Sequence, residues 1–245
     1  FVNMILDQIR SFGVTPADRV LQFASSSFDA SLSEIFMALA AGARLVLIGE
    51  QTRRDGSLFQ ACMRTERISV VTLPPSYLRA LEQPEFPDLR VLITAGEPAD
   101  AADVRHYSTR LRYFNAYGPT EASVCASFHE VRPQDTGSAV IPIGRPVSNS
   151  GIRLLDRRLR PVPMGVPGEI CIQGPGLARG YLNRPELTQS QFVGAPSGGG
   201  ARRLFPAGPV ALDALNEIVA FLARARANSL QRGEVLVGLG EVVGH

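Results

Sequence analysis

Val91-Leu92-Ile93-Thr94-Ala95-Gly96-Glu97-Pro98 is a run of apolar and β-branched residues cut off by a glycine and a proline. It reads as a short strand that ends in a turn. Tyr113-Phe114-Asn115-Ala116, leading into Tyr117-Gly118-Pro119-Thr120-Glu121, repeats that design further along. The spacing between the two predicts a helix over 99–107. A strand, a helix and a second strand in that order make a βαβ unit, which brings its strands parallel.

Reading outward, the same alternation continues upstream. Helices are predicted over 2–9 (stopped near Gly13), 57–65 and 75–81, the last with proline in its first turn. Strands are predicted over 20–23, 44–48 (buried) and 69–73. Ser31-Leu32-Ser33-Glu34 has the spacing of a capping box before the apolar run 35–41, with Gly42 as its stop. Glu34 is thus expected to cap a helix. From Gly137 the texture changes to strands at 151–155 and 169–172 between Gly/Pro turns. The expected fold class is α/β: parallel-sheet βαβ layers over 1–136, then a smaller β-rich layer over 137–196. Residues 197–245 form a divergent tail, with a flexible stretch at 197–200, a helix at 210–227 and an unclear glycine-interrupted end.

Composition narrows the function. The 245 residues carry 25 basic and 23 acidic side chains, a formal charge of +2, and 45% are hydrophobic. That supports a buried core and argues against disorder. It provides no concentrated basic face for nucleic acid. The apolar run 35–41 is too short to span a bilayer, and no signal peptide is visible. Phe1 is not a methionine, so the chain is expected to be a piece of something longer. Every basic residue is arginine; there is no lysine. This rules out a Walker A loop, a pyridoxal Schiff base and any lysine-dependent step by this chain alone. Cys62, Cys125 and Cys171 lack metal-ligand spacing and read as buried thiols of a reducing cytoplasm. His106 and His129 read as packing or surface residues. Arg157-Arg158 and Arg202-Arg203 read as solvated, and Arg179 as a turn residue. Gly174 and Gly176 do not fit a dinucleotide-binding loop.

In open parallel sheets, ligands bind beyond the carboxyl ends of the strands. Three segments fall there: Thr94-Ala95-Gly96-Glu97-Pro98, Asn115 to Glu121, and Phe28-Asp29-Ala30-Ser31. Gly118 allows close backbone approach, and Tyr117 offers a flat face to a base. Thr120 supplies a hydroxyl for phosphate and Glu121 a hard oxygen for Mg²⁺.

Asn115 to Glu121 also resembles the NxYGPTE motif of adenylate-forming enzymes. More closely, the chain is similar to adenylation domains of nonribosomal peptide synthetases. Phe28-Asp29-Ala30-Ser31 matches their FDxS motif. Gly168-Glu169-Ile170-Cys171-Ile172-Gln173-Gly174 with Gly176-Leu177-Ala178-Arg179-Gly180-Tyr181 matches GELxIxGxGLARGYL. Val71-Thr72-Leu73-Pro74-Pro75 and Ile141-Pro142-Ile143-Gly144-Arg145-Pro146 fit as well, all in order. The resemblance implies the adenylate-forming fold and activation of an amino acid by ATP and Mg²⁺, giving aminoacyl-AMP and pyrophosphate. It further implies transfer to phosphopantetheine on a carrier domain, with peptidyl carrier and condensation domains as partners. By that match Tyr117 stacks on adenine, Thr120 contacts the α-phosphate and Glu121 holds Mg²⁺. Gly96, Glu97, Asn115, Ala116 and Gly118 complete the nucleotide side. Asp29 binds the substrate ammonium. The side-chain pocket maps to Asp29, Ala30, Ser33, Thr72, Ile93, Ala95, Ala116, Val124 and Cys125. This lining resembles the phenylalanine type, with Ser33 in place of an indole, and so implies tyrosine or a modified tyrosine.

The pattern breaks in places. The family's phosphate loop and C-terminal lysine motif are not in this sequence. Leu204-Phe205-Pro206-Ala207-Gly208-Pro209 stands where the family has an aspartate for the ribose, with Pro209 at that position. Asp213 is the nearest carboxylate, and Arg226 replaces the hinge aspartate. The isolated chain is therefore expected to be inactive in adenylate formation. Two alternatives remain: an acyl- or aryl-CoA ligase, and an inactive remnant serving as a weak nucleotide-binding or interaction module.

Overall fold

The computed structural model describes residues 1–138, 140–163, 165–194 and 203–209. In chain order, α1 (Val2–Phe12) is followed by β1 (Arg19–Gln22), α2 (Ala30–Ala40), β2 (Arg44–Leu47), α3 (Glu50–Arg54) and α4 (Gly56–Thr65). Next come β3 (Val70–Leu73), α5 (Pro75–Ala80), β4 (Val91–Ala95), α6 (Ala101–Tyr107) and β5 (Arg112–Tyr117). These strands and two more, β6 (Ser127–Glu130) and β7 (Arg145–Pro146), form one sheet in the order β2-β1-β3-β4-β5-β6-β7. The strands from β2 to β5 are parallel; β6 and β7 are antiparallel. A second, antiparallel sheet contains β8 (Gly151–Leu155) and β9 (Glu169–Gln173). It also contains, after α7 (Pro185–Gln191), β10 (Val193–Gly194) and β11 (Arg203–Pro209), in the order β10-β11-β9-β8. The chain is mixed α/β with a parallel-dominated sheet and a smaller antiparallel one, as its alternating pattern requires.

Both faces of the large sheet are buried. One face packs Leu21, Val71, Leu73, Leu92 and Tyr113 against α4, α5 and α6 through Phe59, Leu78 and Val104. The other packs Val20, Val70, Val91, Ile93 and Phe114 against α1 and α2 through Met4, Ile5, Phe12 and Met37. A third cluster, Ala122 and Ala126 with Ile170 and Ile172, joins the two sheets.

At the amino edge of the parallel strands, Arg90 donates from Nε to Asp18 (2.7 Å) and pairs with it again through Nη2. Ser69 and the Thr15 amide also donate to Asp18, both at 2.7 Å. Three strand starts are thus tied by one buried carboxylate. Burial alone would raise the Asp18 pKa, but these donors together hold it well below the ordinary value.

Several expectations are corrected. The first strand lies one residue earlier, at 19–22. There is no capping box at Ser31: α2 is capped at Asp29, and the Ser31 hydroxyl donates back to the Phe28 carbonyl. Glu34 is buried and accepts from the Phe23 and Ala24 amides instead, so it belongs to the β1 exit. The spacing was right for a cap, but an amphipathic turn also aims i+3 at whatever packs beneath it. The strand at 44–47 was expected to be buried; it is an edge strand in which Val46 alone is fully covered. Asp55 and Asp100 are the real caps of α4 and α6, each accepting two first-turn amides. Five short elements, α3, α7, β6, β7 and β10, were not anticipated. The segment 203–209 pairs with β9 as a strand. The expected helix at 210–227, the flexible stretch at 197–200 and the glycine-interrupted end lie outside the described residues.

Candidate active site

Because β1, β3, β4 and β5 are parallel, their carboxyl ends share one edge of the sheet. The β1 exit leads to Asp29 at the start of α2. The β4 exit leads to Gly96 and Glu97, and the β5 exit to Tyr117. Strand register decides which side chains meet. Thr72 pairs with Ile93 and Ile93 with Phe114, while Ala95 pairs with Ala116. Alternation along each strand puts Ile93, Ala95 and Ala116 on the face that packs against α1 and α2. Cys125 and Val124 belong to that same cluster. Ala95 and Ala116 are small, so this face narrows in side-chain volume toward its carboxyl edge.

Asp29 caps α2 without any side-chain capping bond. Ser33 follows one turn later, so the two share a helix face. The Ser33 hydroxyl is buried and donates to Gln8 Oε1 of α1 (2.7 Å). Ser33 of α2 is thus tied to α1 through Gln8. Complete burial pushes the Cys125 thiol up to about 12.

Tyr117 is the last residue of β5. The Ala126 amide donates to the Tyr117 carbonyl (2.8 Å). A Cβ on Gly118 would stand 2.5 Å from the Val124 carbonyl oxygen and 2.6 Å from Cys125 Cα, so only glycine fits. Ser123 and Val124 both have left-handed backbone, with φ of 59° and 72°. For a β-branched valine this is a strained conformation, of the kind found at binding sites. It turns the chain sharply enough to lay Val124 and Cys125 beside Gly118. The Tyr117 side chain is half-buried, and burial raises its pKa.

Thr120 and Glu121 sit on a single 3-10 turn, Thr120–Ala122. The 174–181 segment is latched to it. The Ser123 hydroxyl donates to the Gly176 carbonyl (2.5 Å), and the Ala178 amide donates to the Glu121 carbonyl (2.7 Å). The Tyr181 hydroxyl donates to Glu121 Oε1 (2.5 Å), which pushes its own pKa up to about 12. Glu121 thus has one carboxylate oxygen held by Tyr181. One carboxylate fits Mg²⁺ brought in with phosphate, since that ion keeps waters and takes few protein ligands. Among the described residues no group of three or more His, Cys, Asp or Glu is placed to hold a metal by itself.

Two nucleotide-side residues are engaged elsewhere. Buried Asn115 donates its amide to the Ile141 and Pro142 carbonyls (3.3 and 2.8 Å) and so fixes that loop. Glu97 accepts from the Ser76 amide and hydroxyl (2.9 and 2.7 Å), which ties the Gly96 turn to the start of α5. Gln8, Glu34 and Tyr181 were not assigned a site role from sequence. Tyr181 stood inside a quoted motif and Glu34 inside a capping pattern. Gln8 sits in an amphipathic helix with no local signal, and only the fold brings it to Ser33.

The strand exits thus bring Asp29, the Gly96 turn and the Tyr117-Gly118 turn to one edge of the sheet. Residues 1–182 match the family model of the AMP-binding enzymes. The chain belongs to that family, among the adenylation domains of nonribosomal peptide synthetases. It is 41% identical over 232 residues to tyrocidine synthase 1 of Brevibacillus parabrevis, covering 95% of this chain and 21% of that protein. It is 42% identical over 238 residues to chondramide synthase cmdD of Chondromyces crocatus, covering 96% of this chain and 6% of that one. The chain thus spans about a fifth or less of these relatives. Among solved structures, the synthetase FmoA3 superposes with a TM-score of 0.78 at 32% identity, covering 86% of this chain and 24% of that chain. The four-domain synthetase AB3403, solved with AMP and glycine, gives 0.78 at 30% identity over 88% of this chain and 16% of that chain. No helix among the described residues is long and apolar enough to cross a membrane.

Proposed function

We propose that the chain supplies the amino-acid pocket and part of the nucleotide site of an enzyme that activates an aromatic amino acid, tyrosine or a modified tyrosine. The observation that carries this reading is the shared carboxyl edge of the parallel strands, whose exits lead to Asp29, the Gly96 turn and Tyr117. Asp29 has a carboxylate free of capping bonds at the mouth, where it pairs with a substrate ammonium. Ala30, Ala95 and Ala116 leave volume for a ring, and Thr72, Ile93, Val124 and Cys125 enclose it. Ser33 offers a polar contact to a phenol. Tyr117 takes the adenine face, Thr120 the α-phosphate and Glu121 a divalent cation. The cation, when bound, neutralises charge on the phosphates. The chain's own part is positioning: the carboxylate of a gripped amino acid is aimed at the α-phosphorus, and pyrophosphate leaves.

The expected partners are the peptidyl carrier arm that accepts the aminoacyl group and a condensation domain, in the cytoplasm. In domain terms we take 1–136 as the pocket-bearing core, 137–196 as the β-rich layer and 197–245 as the junction. ATP–pyrophosphate exchange by the complete adenylation domain containing this chain tests the reading. Tyrosine-dependent exchange is expected; preference for a small or acidic amino acid refutes it. Deaminated analogues separate it from an acyl- or aryl-CoA ligase, which has no need of Asp29. The lysine-free sequence favours a second reading for the chain alone: no adenylate formation, with at most weak nucleotide binding. Calorimetry of the 245-residue chain with ATP and with tyrosine tests that.

A further inference from the structure

Arg203 reads from its arginine pair as solvated, yet the structure leaves it partly buried and engaged on two sides. Its Nη1 donates to the Ala178 carbonyl (2.9 Å), and its guanidinium carbon lies 4.0 Å from the centroid of the Phe192 ring. Phe192 is buried, and its ring meets those of Phe205 and Tyr181 at 5.2 and 5.9 Å between centroids. Ala178 and Tyr181 are the same residues that hold Glu121. The Ala178 amide donates to the Glu121 carbonyl (2.7 Å), and the Tyr181 hydroxyl donates to Glu121 Oε1 (2.5 Å). Tyr181 is fixed in turn by its amide, which donates to the Thr188 hydroxyl (2.9 Å). The contacts close a ring: from Arg203 through Ala178 to the Glu121 backbone, and through Phe192 and Tyr181 to the Glu121 carboxylate.

Resting on the reading of Glu121 as the residue that holds a divalent cation, we propose that Arg203, on a strand of the second sheet, is a positioning residue for that carboxylate. A surface arginine stretches its stem along the protein and keeps its head in water. Arg203 instead spends its head group on a carbonyl and a ring face, and both partners lead to Glu121. The planar guanidinium suits the task, because it donates within its plane while its face lies on a ring. Among the described residues no group of three or more His, Cys, Asp or Glu is placed to hold a metal. A cation met by one carboxylate depends on the aim of that carboxylate, and its outer partners set that aim.

The test is binding of α,β-methylene-ATP to the complete adenylation domain that contains this chain, with the analogue as its Mn²⁺ complex and, in a chelator, free of metal. Electron paramagnetic resonance follows the first and calorimetry the second. Arg203→Met keeps a long apolar stem and removes the charge and the donors. It is expected to raise Kd for the Mn²⁺ complex by about tenfold, the low end of what loss of an outer partner costs a metal site. Kd for the metal-free analogue and KM for the amino acid in ATP–pyrophosphate exchange should not move. If the variant only lowers the unfolding temperature and binds the Mn²⁺ complex as before, Arg203 serves sheet stability alone and the proposal is overturned. Equal rises in both Kd values, or an equal rise in KM for the amino acid, overturn it as well, because the effect then does not pass through the cation. Adding Tyr181→Phe to Arg203→Met should weaken the Mn²⁺ complex by less than the product of the two single effects, since part of the hold passes through Tyr181; the full product overturns the proposal. Should Arg203→Met fail to fold, Phe192→Leu removes the ring that Arg203 and Tyr181 share and carries the same expectation. Glu121→Gln separates the two levels. If it leaves the Mn²⁺ complex bound as before, the reading of Glu121 falls and this inference with it. If it weakens the complex and Arg203→Met does not, this inference alone falls.

Discussion

Glu34→Gln exchanges one oxygen for an NH₂ at a buried position, and its consequence for pH-dependent stability can be worked from the contacts. Glu34 is 1% exposed and receives the Phe23 and Ala24 amides on Oε2, at 3.1 and 3.0 Å. Desolvation dominates and pushes its pKa from the ordinary 4.5 up to about 8, against those two amides and the charge of Arg53. A carboxyl with a raised folded-state pKa holds more protons folded than unfolded. Its contribution is therefore complete below pH 4.5 and is lost as pH rises toward about 8. At about 1.4 kcal/mol per tenfold change in proton activity, the loss between pH 5.5 and 8 is about 3 kcal/mol. With a urea slope of about 1–3 kcal/mol/M, the unfolding midpoint falls by roughly 1–3 M across that window. The protein has no tryptophan, so far-UV circular dichroism is the suitable signal. In Glu34→Gln a carboxamide oxygen replaces Oε2 and accepts the same amides without a titrating proton. This variant should hold a nearly constant midpoint from pH 5.5 to 8 and exceed the unaltered chain at pH 8. If both proteins show the same pH dependence, or if the variant is weaker at every pH, Glu34 is ionised in the fold and the reasoning fails.

Three further outcomes are expected. Asp18→Asn removes the charge that Arg90 and Ser69 are built around and should cost ~2–4 kcal/mol in urea unfolding at pH 7, as for a broken buried pair; because the Asp18 pKa is lowered, the unaltered chain should lose this stability as pH falls below 3.8. Gly118→Ala drives a methyl against backbone at 2.5 Å and should lower the midpoint of thermal unfolding and abolish exchange by the complete domain, whereas Gly137→Ala, with open space around it, should alter neither. Tyr181→Phe frees Glu121 Oε1 and should raise the Mg²⁺ concentration needed for half-maximal exchange severalfold with KM for the amino acid unchanged; an unchanged cation requirement would show that the contact only anchors the loop.

Alternation of apolar runs with helix-spaced segments was enough to determine the parallel α/β core, because βαβ connections leave little choice of topology. Strand β4 at 91–95 and strand β8 at 151–155 were legible to the residue, since each is bounded by glycine, proline or charged turns. Edge elements were not legible. Strand β6 is held by pairing to β5 and β7 by pairing to β6 rather than by their own pattern, and β2 looked buried because apolar content does not reveal whether a neighbouring strand exists. The likeness of Asn115 to Glu121 and of Phe28 to Ser31 to known motifs pointed to the family to which the chain belongs. What depended on tertiary structure was the use of each side chain. Local spacing makes Glu34 a cap, whereas packing turns it into the clasp of the β1 exit. Nothing near Gln8 marks it, because its partner Ser33 lies 25 positions away and meets it only in the fold. Hydrogen-bond polarity is a property of a closed three-dimensional network, and a linear pattern carries the donors and acceptors without saying which of them meet.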